Sequence, residues 1–414
     1  MNGRLSVHHA FGLVGQLEQA NDGTVKFTYA PTWLQSARRF SISFSLPLRD
    51  EAWGEPGQAF FANLLPEADL RRQLCLRLGI SVDNDFALLS AIGGECAGAL
   101  TITEEGRPPS DKPHRYRPLT QGTLEALAVN QVLPSVDGTM GVRLSLAGAQ
   151  DKLPVLIDGD SLSIPIGDAP SSHLIKFPSS RFKHLPANEV LMSTIARNLG
   201  LPVVEAELRP LRREGMCVVQ RYDRVRAPDG SLARVHQEDL CQALGRRPLM
   251  KYEKEGGPGF QRCFEAVRAA STQPLADGQT MLRWLGFNVI ALNSDGHAKN
   301  LSLLYSDGPV RLAPLYDLVC TRAYDRLATA LAMGVGGEFE PTSVRRRHWE
   351  RLAESVGLGA RYVVGVIQDL VEHFPEATEL AAAELRGRYG EKPALQMILP
   401  KIRKQVKRVG QLLR

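Results

Sequence analysis

A chain of 414 residues with 43% apolar and 23% charged residues has the composition of an ordinary folded protein of two or three domains, which excludes long disorder and fibrous repeats. No run of 18 apolar residues occurs and residues 1–9 lack an apolar signal core, so neither a membrane span nor secretion is expected; six scattered cysteines without a Cys-x-x-Cys pair exclude a zinc ribbon and a disulfide framework and fit a reducing cytoplasm. The net charge of +5 is uneven: residues 341–414 carry 14 basic and 8 acidic side chains, a balance of +6, which leaves −1 on the remainder.

The first hundred residues read as strands and turns with one short helix. Phe40–Leu46 alternates apolar and polar residues and predicts a half-buried strand. Apolar residues at helical spacing predict a helix within Phe60–Leu78, and Leu88–Thr103, with Gly93, Gly94 and Gly98, predicts strands joined by turns. Residues 104–118 hold four prolines and seven charges without periodicity, as a linker does. Then come strands at Leu153–Asp158, Asp160–Ile166 and His173–Phe177, a helix over Ala187–Leu199 stopped by Gly200, and a buried strand Met216–Val219. Beyond His236 the chain is expected to be mainly helical, apart from short strands near Leu301–Tyr305 and Val310–Ala313. At the C-terminus Ile402, Val406, Val409 and Leu413 form a helical apolar stripe, with Lys401, Arg403, Lys404, Lys407 and Arg408 mostly off it. The basic face is either solvated or meets an anionic partner.

The segment Asn293-Ser-Asp-Gly-His-Ala-Lys-Asn300 carries the most chemistry. Asp295 and Asn300 are five residues apart, the offset of a kinase catalytic loop, in which Asp takes the acceptor hydroxyl's proton and Asn holds a metal. Lys299 offsets phosphate charge, and His297 props the loop. A plain turn stabilised by Asp, Gly and Asn is the alternative. Asp317 follows a strand–turn–strand, 22 residues past Asp295, where kinases place a second metal-binding Asp; a helix cap is the alternative. Upstream, Ser145-Leu-Ala-Gly-Ala-Gln-Asp-Lys152 is small enough for backbone N–H groups to approach phosphates, though it is no Walker sequence and on its own reads better as a plain hairpin turn. Lys176 lies in a buried-looking strand, Glu189 on the next helix is either its partner or an exposed helix-start Glu, and Gln220-Arg-Tyr222 follows a strand where a kinase hinge presents backbone to adenine.

In this order the chain resembles the HipA-type serine/threonine kinases, the toxins of HipA–HipB toxin–antitoxin pairs. The segments that carry the resemblance are 61–67, 89–99, 145–152, Arg221-Tyr-Asp-Arg224, 236–245, Lys251-Tyr-Glu-Lys-Glu-Gly-Gly-Pro258, 293–300 and Leu315-Tyr-Asp-Leu318. The resemblance implies an α+β, two-lobed kinase-like fold: a β-rich subdomain over 1–103, a linker over 104–118, an N-lobe over 119–235 and a helical C-lobe over 236–414. It implies Asp295 as catalytic base and Asn300 and Asp317 as Mg²⁺ ligands. ATP contacts would come from Ala147, Gly148, Ala149, Gln150, Asp151, Lys152, Lys176, Gln220, Arg221, Tyr222, His297 and Tyr316. Ser145 matches a serine that such kinases phosphorylate to silence themselves. Expected partners are a HipB-like helix-turn-helix antitoxin, operator DNA reached mainly through it, and a translation-related substrate such as an aminoacyl-tRNA synthetase. A silent kinase-like corepressor and a small-molecule kinase are the alternatives.

Overall fold

Three antiparallel strands open the chain in the computed structural model, which describes residues 3–109, 114–130, 152–212, 214–306 and 308–414. The backbone is mixed α and β, and its contacts form two compact units. One comprises residues 1–176, 221–249 and 304–308, the other 177–220, 250–303 and 309–414.

In the first unit Gly3–His9 pairs with both Gly12–Gln19 and Thr101–Glu104, and Val25–Tyr29 flanks Gly12–Gln19. The alternation Leu5, Val7 and Leu17, Phe27 and Ile102 puts one face of this sheet into an apolar core. Gly15 is required there, because a Cβ would lie 2.3 Å from the Thr28 carbonyl oxygen and 2.7 Å from the Phe27 ring.

This region is more helical than its sequence predicts. Leu88–Thr103 begins inside the helix Asp85–Ile92, capped by Asn84, whose side chain accepts from Ala87 N at 2.9 Å; only Thr101–Glu104 is strand. A short apolar run does not distinguish a buried strand from a buried helix. Phe60–Leu78 is two helices, Glu55–Ala62 and Ala68–Leu78. The Asn63 amide bonds back to the Ala59 carbonyl, and Pro66 lacks the N–H a continuing helix needs. Phe40–Leu46 is a run of turns rather than the expected strand. Side chains replace its ladder partners: Ile42 N donates to the Tyr29 hydroxyl at 3.0 Å, that hydroxyl donates to the Leu46 carbonyl at 2.6 Å, and Phe44 N donates to Glu238 Oε1 at 2.9 Å. Arg115–Pro118, inside the stretch that reads as a linker, is a strand. It leads the antiparallel series Arg115–Pro118, Ser161–Ile166, Lys152–Asp158 and His173–Lys176.

The second unit contains the antiparallel pair Ala206–Arg209 and Met216–Gln220. Its helix Leu185–Asn198 packs on the long helix Ala360–Tyr389, which also contacts Pro274–Ala291 and Pro393–Leu412. In Pro393–Leu412 the predicted stripe Ile402, Val406 and Val409 is buried and Lys404, Lys407 and Arg408 are exposed. All six cysteines are buried thiols, and no described helix is long and apolar enough to cross a membrane.

Candidate active site

The helix Pro274–Ala291 ends at Leu292, whose left-handed backbone (φ 56°) turns the chain back on itself. Asn293 then grips the helix end: its N–H donates to the Asn288 carbonyl at 2.9 Å and its amide to Asn288 Oδ1 at 3.0 Å. Asn293 Oδ1 accepts Asp295 N at 3.1 Å. Gly296 passes so close to Asn288 that a Cβ would lie 2.6 Å from its Nδ2. Ser294 N donates to Thr321 Oγ1 at 2.8 Å, and that hydroxyl donates to the Leu292 carbonyl at 2.9 Å. His297 N donates to the Asp295 carbonyl and to Asn300 Oδ1, both at 2.9 Å.

In a simple Asx turn the aspartate carboxylate caps N–H groups of its own loop. Here Asn293, Asn300 and main-chain carbonyls take those donors. The Asp295 side chain is 53% exposed, with Oδ1 accepting the Tyr252 hydroxyl at 2.6 Å and His297 Nε2 at 3.9 Å from the same oxygen. Asn300, His297 and Lys299 are buried. The loop thus holds one carboxylate outward on a rigid base.

The second predicted ligand, Asp317, is tied to the same frame. The Tyr316 hydroxyl donates to the Lys299 carbonyl at 2.7 Å and lies 2.7 Å from Ser302 Oγ. Asp317 has φ 55°, a backbone that costs a non-glycine residue on the order of 1–2 kcal/mol and persists where surrounding contacts impose it. The fully buried Asn188 clamps the segment beyond: Cys320 N donates to its Oδ1 at 2.9 Å and its amide donates to the Cys320 carbonyl at 3.1 Å. The Asn300 amide oxygen keeps a lone pair beyond the one His297 N uses. An amide oxygen and a carboxylate, the groups that Asn300 and Asp317 carry, are the hard-oxygen donor types that Mg²⁺ takes. Among the described residues no three His, Cys, Asp or Glu side chains gather as a metal cage, so phosphates and water would complete the shell of a divalent ion here.

In the first unit, Lys152 and Lys176 are directly opposite in the antiparallel register, so their side chains share a face. Lys176 is only 3% exposed. Gln220 ends its strand exposed. The Tyr222 hydroxyl donates to Gln237 Oε1 at 2.6 Å. Arg221 is buried, and its five N–H donors go to Asp223 (2.9 and 2.8 Å), Glu95 (2.9 Å), Ser171 Oγ (2.9 Å) and the Cys96 carbonyl (3.1 Å). Its side chain has no donor left for adenine and its N–H donates to the Ser172 carbonyl at 3.0 Å, so its own carbonyl is what a hinge would offer. Ser145 and Ala147, Gly148, Ala149, Gln150 and Asp151 lie outside the described residues.

The Arg221 network explains two sequence motifs as halves of one structure. Glu95, from Gly93-Gly-Glu-Cys96, meets Arg221, Arg224 and Arg234, and Asp223 meets Arg221 and Arg224. Burial alone would raise the Glu95 carboxyl, but the Arg224, Arg234 and Arg221 guanidinium groups outweigh it and hold it at about 2. Asp223 is likewise held far below the usual carboxylate range by Arg221 and Arg224 against its burial.

Reading the sequence for chemistry missed Tyr252, Asn188, Asn288 and Thr321. Tyr252 stands in the noted segment Lys251–Pro258, but only its contact with Asp295 gives it a role. The one signal for Asn188 is its polar side chain within a buried helix, which does not name its distant partner.

A mixed α and β chain with an outward carboxylate on an Asp-to-Asn turn, a hairpin and a strained second aspartate defines a kinase-like phosphotransferase. Comparison with known proteins narrows the class. Residues 5–103 match the HipA N-terminal domain and residues 144–378 the HipA-like C-terminal domain. The serine/threonine-protein kinase toxin HipA of Shewanella oneidensis (strain MR-1) is 30% identical over 395 residues, 90% of this chain and 88% of the relative. The Y4mE protein of Sinorhizobium fredii (strain NGR234), which carries a kinase name, is 39% identical over 372 residues, 88% of each chain. A chain of the solved S. oneidensis MR-1 complex of HipA, HipB and operator DNA superposes with a TM-score of 0.85 at 27% identity, covering 98% of this chain and 96% of that one. The chain belongs to the HipA family of serine/threonine kinase toxins.

Proposed function

We propose that this chain transfers the γ-phosphate of ATP to a serine of a translation-related protein, in keeping with the aminoacyl-tRNA synthetase that the family resemblance implies. The observation that carries the reading is the Asp295 carboxylate, free of its own loop's N–H groups and half exposed on a rigid turn. A general base must be reachable, and the exposure of this carboxylate supports that. Lys152 and Lys176 bind the phosphates, assisted by the backbone of 147–151, and the main chain of 220–222 and the rings of Tyr316 and His297 contact the nucleotide. Asn300 and Asp317 hold Mg²⁺, which when bound neutralises charge on the phosphates. Asp295 takes the acceptor serine's proton. Transfer of this kind needs little covalent chemistry from the protein, so position and charge carry the rate.

Ser145 is the self-inactivation site in this scheme. A phosphate there adds about 1.5 to 2 negative charges beside those of ATP, so the phosphorylated form binds ATP more weakly; equal affinities by calorimetry would remove that role. The likeness to a HipA–HipB–operator complex supports a HipB-like antitoxin with which this chain acts as corepressor on operator DNA. Asp295→Asn tests the catalytic assignment: transfer of radiolabel from ATP is expected to vanish while ATP binding persists. Retained transfer would exclude Asp295 as the base.

A further inference from the structure

The Asp295 carboxylate is exposed, and nothing in its own loop fixes its rotation about Cβ–Cγ, a broad torsion for aspartate. Its single side-chain hydrogen bond among the described residues comes from the Tyr252 hydroxyl, at 2.6 Å to Oδ1. His297 Nε2 lies 3.9 Å from that same oxygen. Oδ2 accepts no hydrogen bond from a described residue.

Tyr252 is itself firmly placed. Its ring meets the His297 ring edge-on, 5.3 Å between centroids at 79°. Its carbonyl accepts Glu255 N at 3.0 Å and Gly257 N at 2.9 Å. A Cβ at Gly257 would lie 2.5 Å from the Met250 carbonyl oxygen and 2.7 Å from that of Tyr252, so the close turn needs glycine. The next residue, Glu253, is held at both ends: its N–H donates to the Ala332 carbonyl at 3.0 Å and its Oε2 accepts Gly334 N at 2.7 Å. The segment Lys251–Pro258 is therefore a built support for one phenol.

We propose that Tyr252 is a positioning residue for phosphoryl transfer: its O–H, bonded to Asp295 Oδ1, sets the carboxylate so that Oδ2 meets the acceptor hydroxyl. The proposal rests on Asp295 being the base. In the step itself the serine oxygen forms a bond to the γ-phosphorus, the bond from that phosphorus to the ADP oxygen breaks, and the serine proton passes to Asp295 Oδ2. Tyr252 keeps its own proton throughout. Its contribution is orientation, which a static hydrogen bond on the other oxygen supplies before the acceptor arrives.

Tyr252→Phe keeps the ring and its His297 contact and removes only the hydroxyl. With γ-labelled Mg-ATP and the chain itself as acceptor, the saturated rate of label incorporation is expected to fall about ten- to a hundredfold. Half-saturating ATP should stay within about twofold and the thermal midpoint should not move, a split that a merely structural role would not produce. A full rate in Tyr252→Phe, with Asp295→Asn inactive, would overturn the proposal and leave Asp295 in place. Retained transfer in Asp295→Asn would overturn both. A fall accompanied by a lower thermal midpoint and weaker ATP binding would make Tyr252 structural and overturn the proposal, as would phosphotyrosine at position 252.

Discussion

Two buried carboxylates in the first unit respond to pH in opposite directions. Glu95 is held at about 2 by three arginines despite its burial. Its folded pKa lies below its unfolded one, so its stabilisation is full above about pH 4.5 and is lost as pH falls toward 2. Glu238 is the reverse. Burial pushes its carboxyl up to about 7, against the hydrogen bonds it receives from Ser43, Tyr305 and Phe44 N. Its stabilisation is full below about pH 4.5 and is lost as pH rises through 7. Glu238→Gln should therefore flatten the decline in urea midpoint between pH 5.5 and 8; an unchanged decline would exclude Glu238 as its source. Glu95→Gln leaves three guanidinium groups around a neutral amide and should cost about 3–5 kcal/mol at pH 7, read from the same denaturation curves. Lys176→Met keeps the apolar stem and removes the charge. It should raise half-saturating ATP about tenfold or more, as loss of one charge-assisted phosphate contact does; unchanged ATP binding would move the phosphate site elsewhere.

Elements place these residues, and element by element the sequence was unevenly legible. Strands such as Met216–Gln220 and Ser161–Ile166 and the helix Leu185–Asn198 carry their own pattern, and they form close to where it puts them, whereas the stripe Ile402–Leu413 marks only the second half of the helix Pro393–Leu412. Phe40–Leu46 has a strand's alternation, yet its N–H groups find Tyr29 and Glu238, one of them nearly two hundred residues away, and local pattern holds no trace of that. The Asp295–Asn300 turn was legible because its chemistry is local, and so was the hairpin that leads to Asp317. Its supports were not: Asn188, Thr321 and Tyr252 reach it from distant segments. Asn188→Ala tests the frame. It strips both hydrogen bonds from Cys320 in a buried site, and should cost about 2–3 kcal/mol of stability while lowering the transfer rate through Asp317. Full stability would mean that the segment after Asp317 is held by other contacts.

At the scale of the whole molecule, the distribution of charge and the kinase chemistry are tested separately. The basic surplus lies at the C-terminus, where Lys404, Lys407 and Arg408 are exposed and Arg403 pairs with Glu379 at 2.7 Å. If this face meets operator phosphates in a complex with antitoxin, each contact adds about 0.9 to the slope of log K against log salt. The Lys404/Lys407/Arg408→Glu triple variant should then show a shallower slope than the parent chain, and an equal slope would mark the helix as merely solvated. The central claim is that the chain is an active kinase rather than a kinase-like scaffold, and intact mass after incubation with Mg-ATP tests it most directly. A covalent phosphate gained by the parent chain and absent from Asp295→Asn is the predicted result; a parent chain whose mass does not change would contradict it.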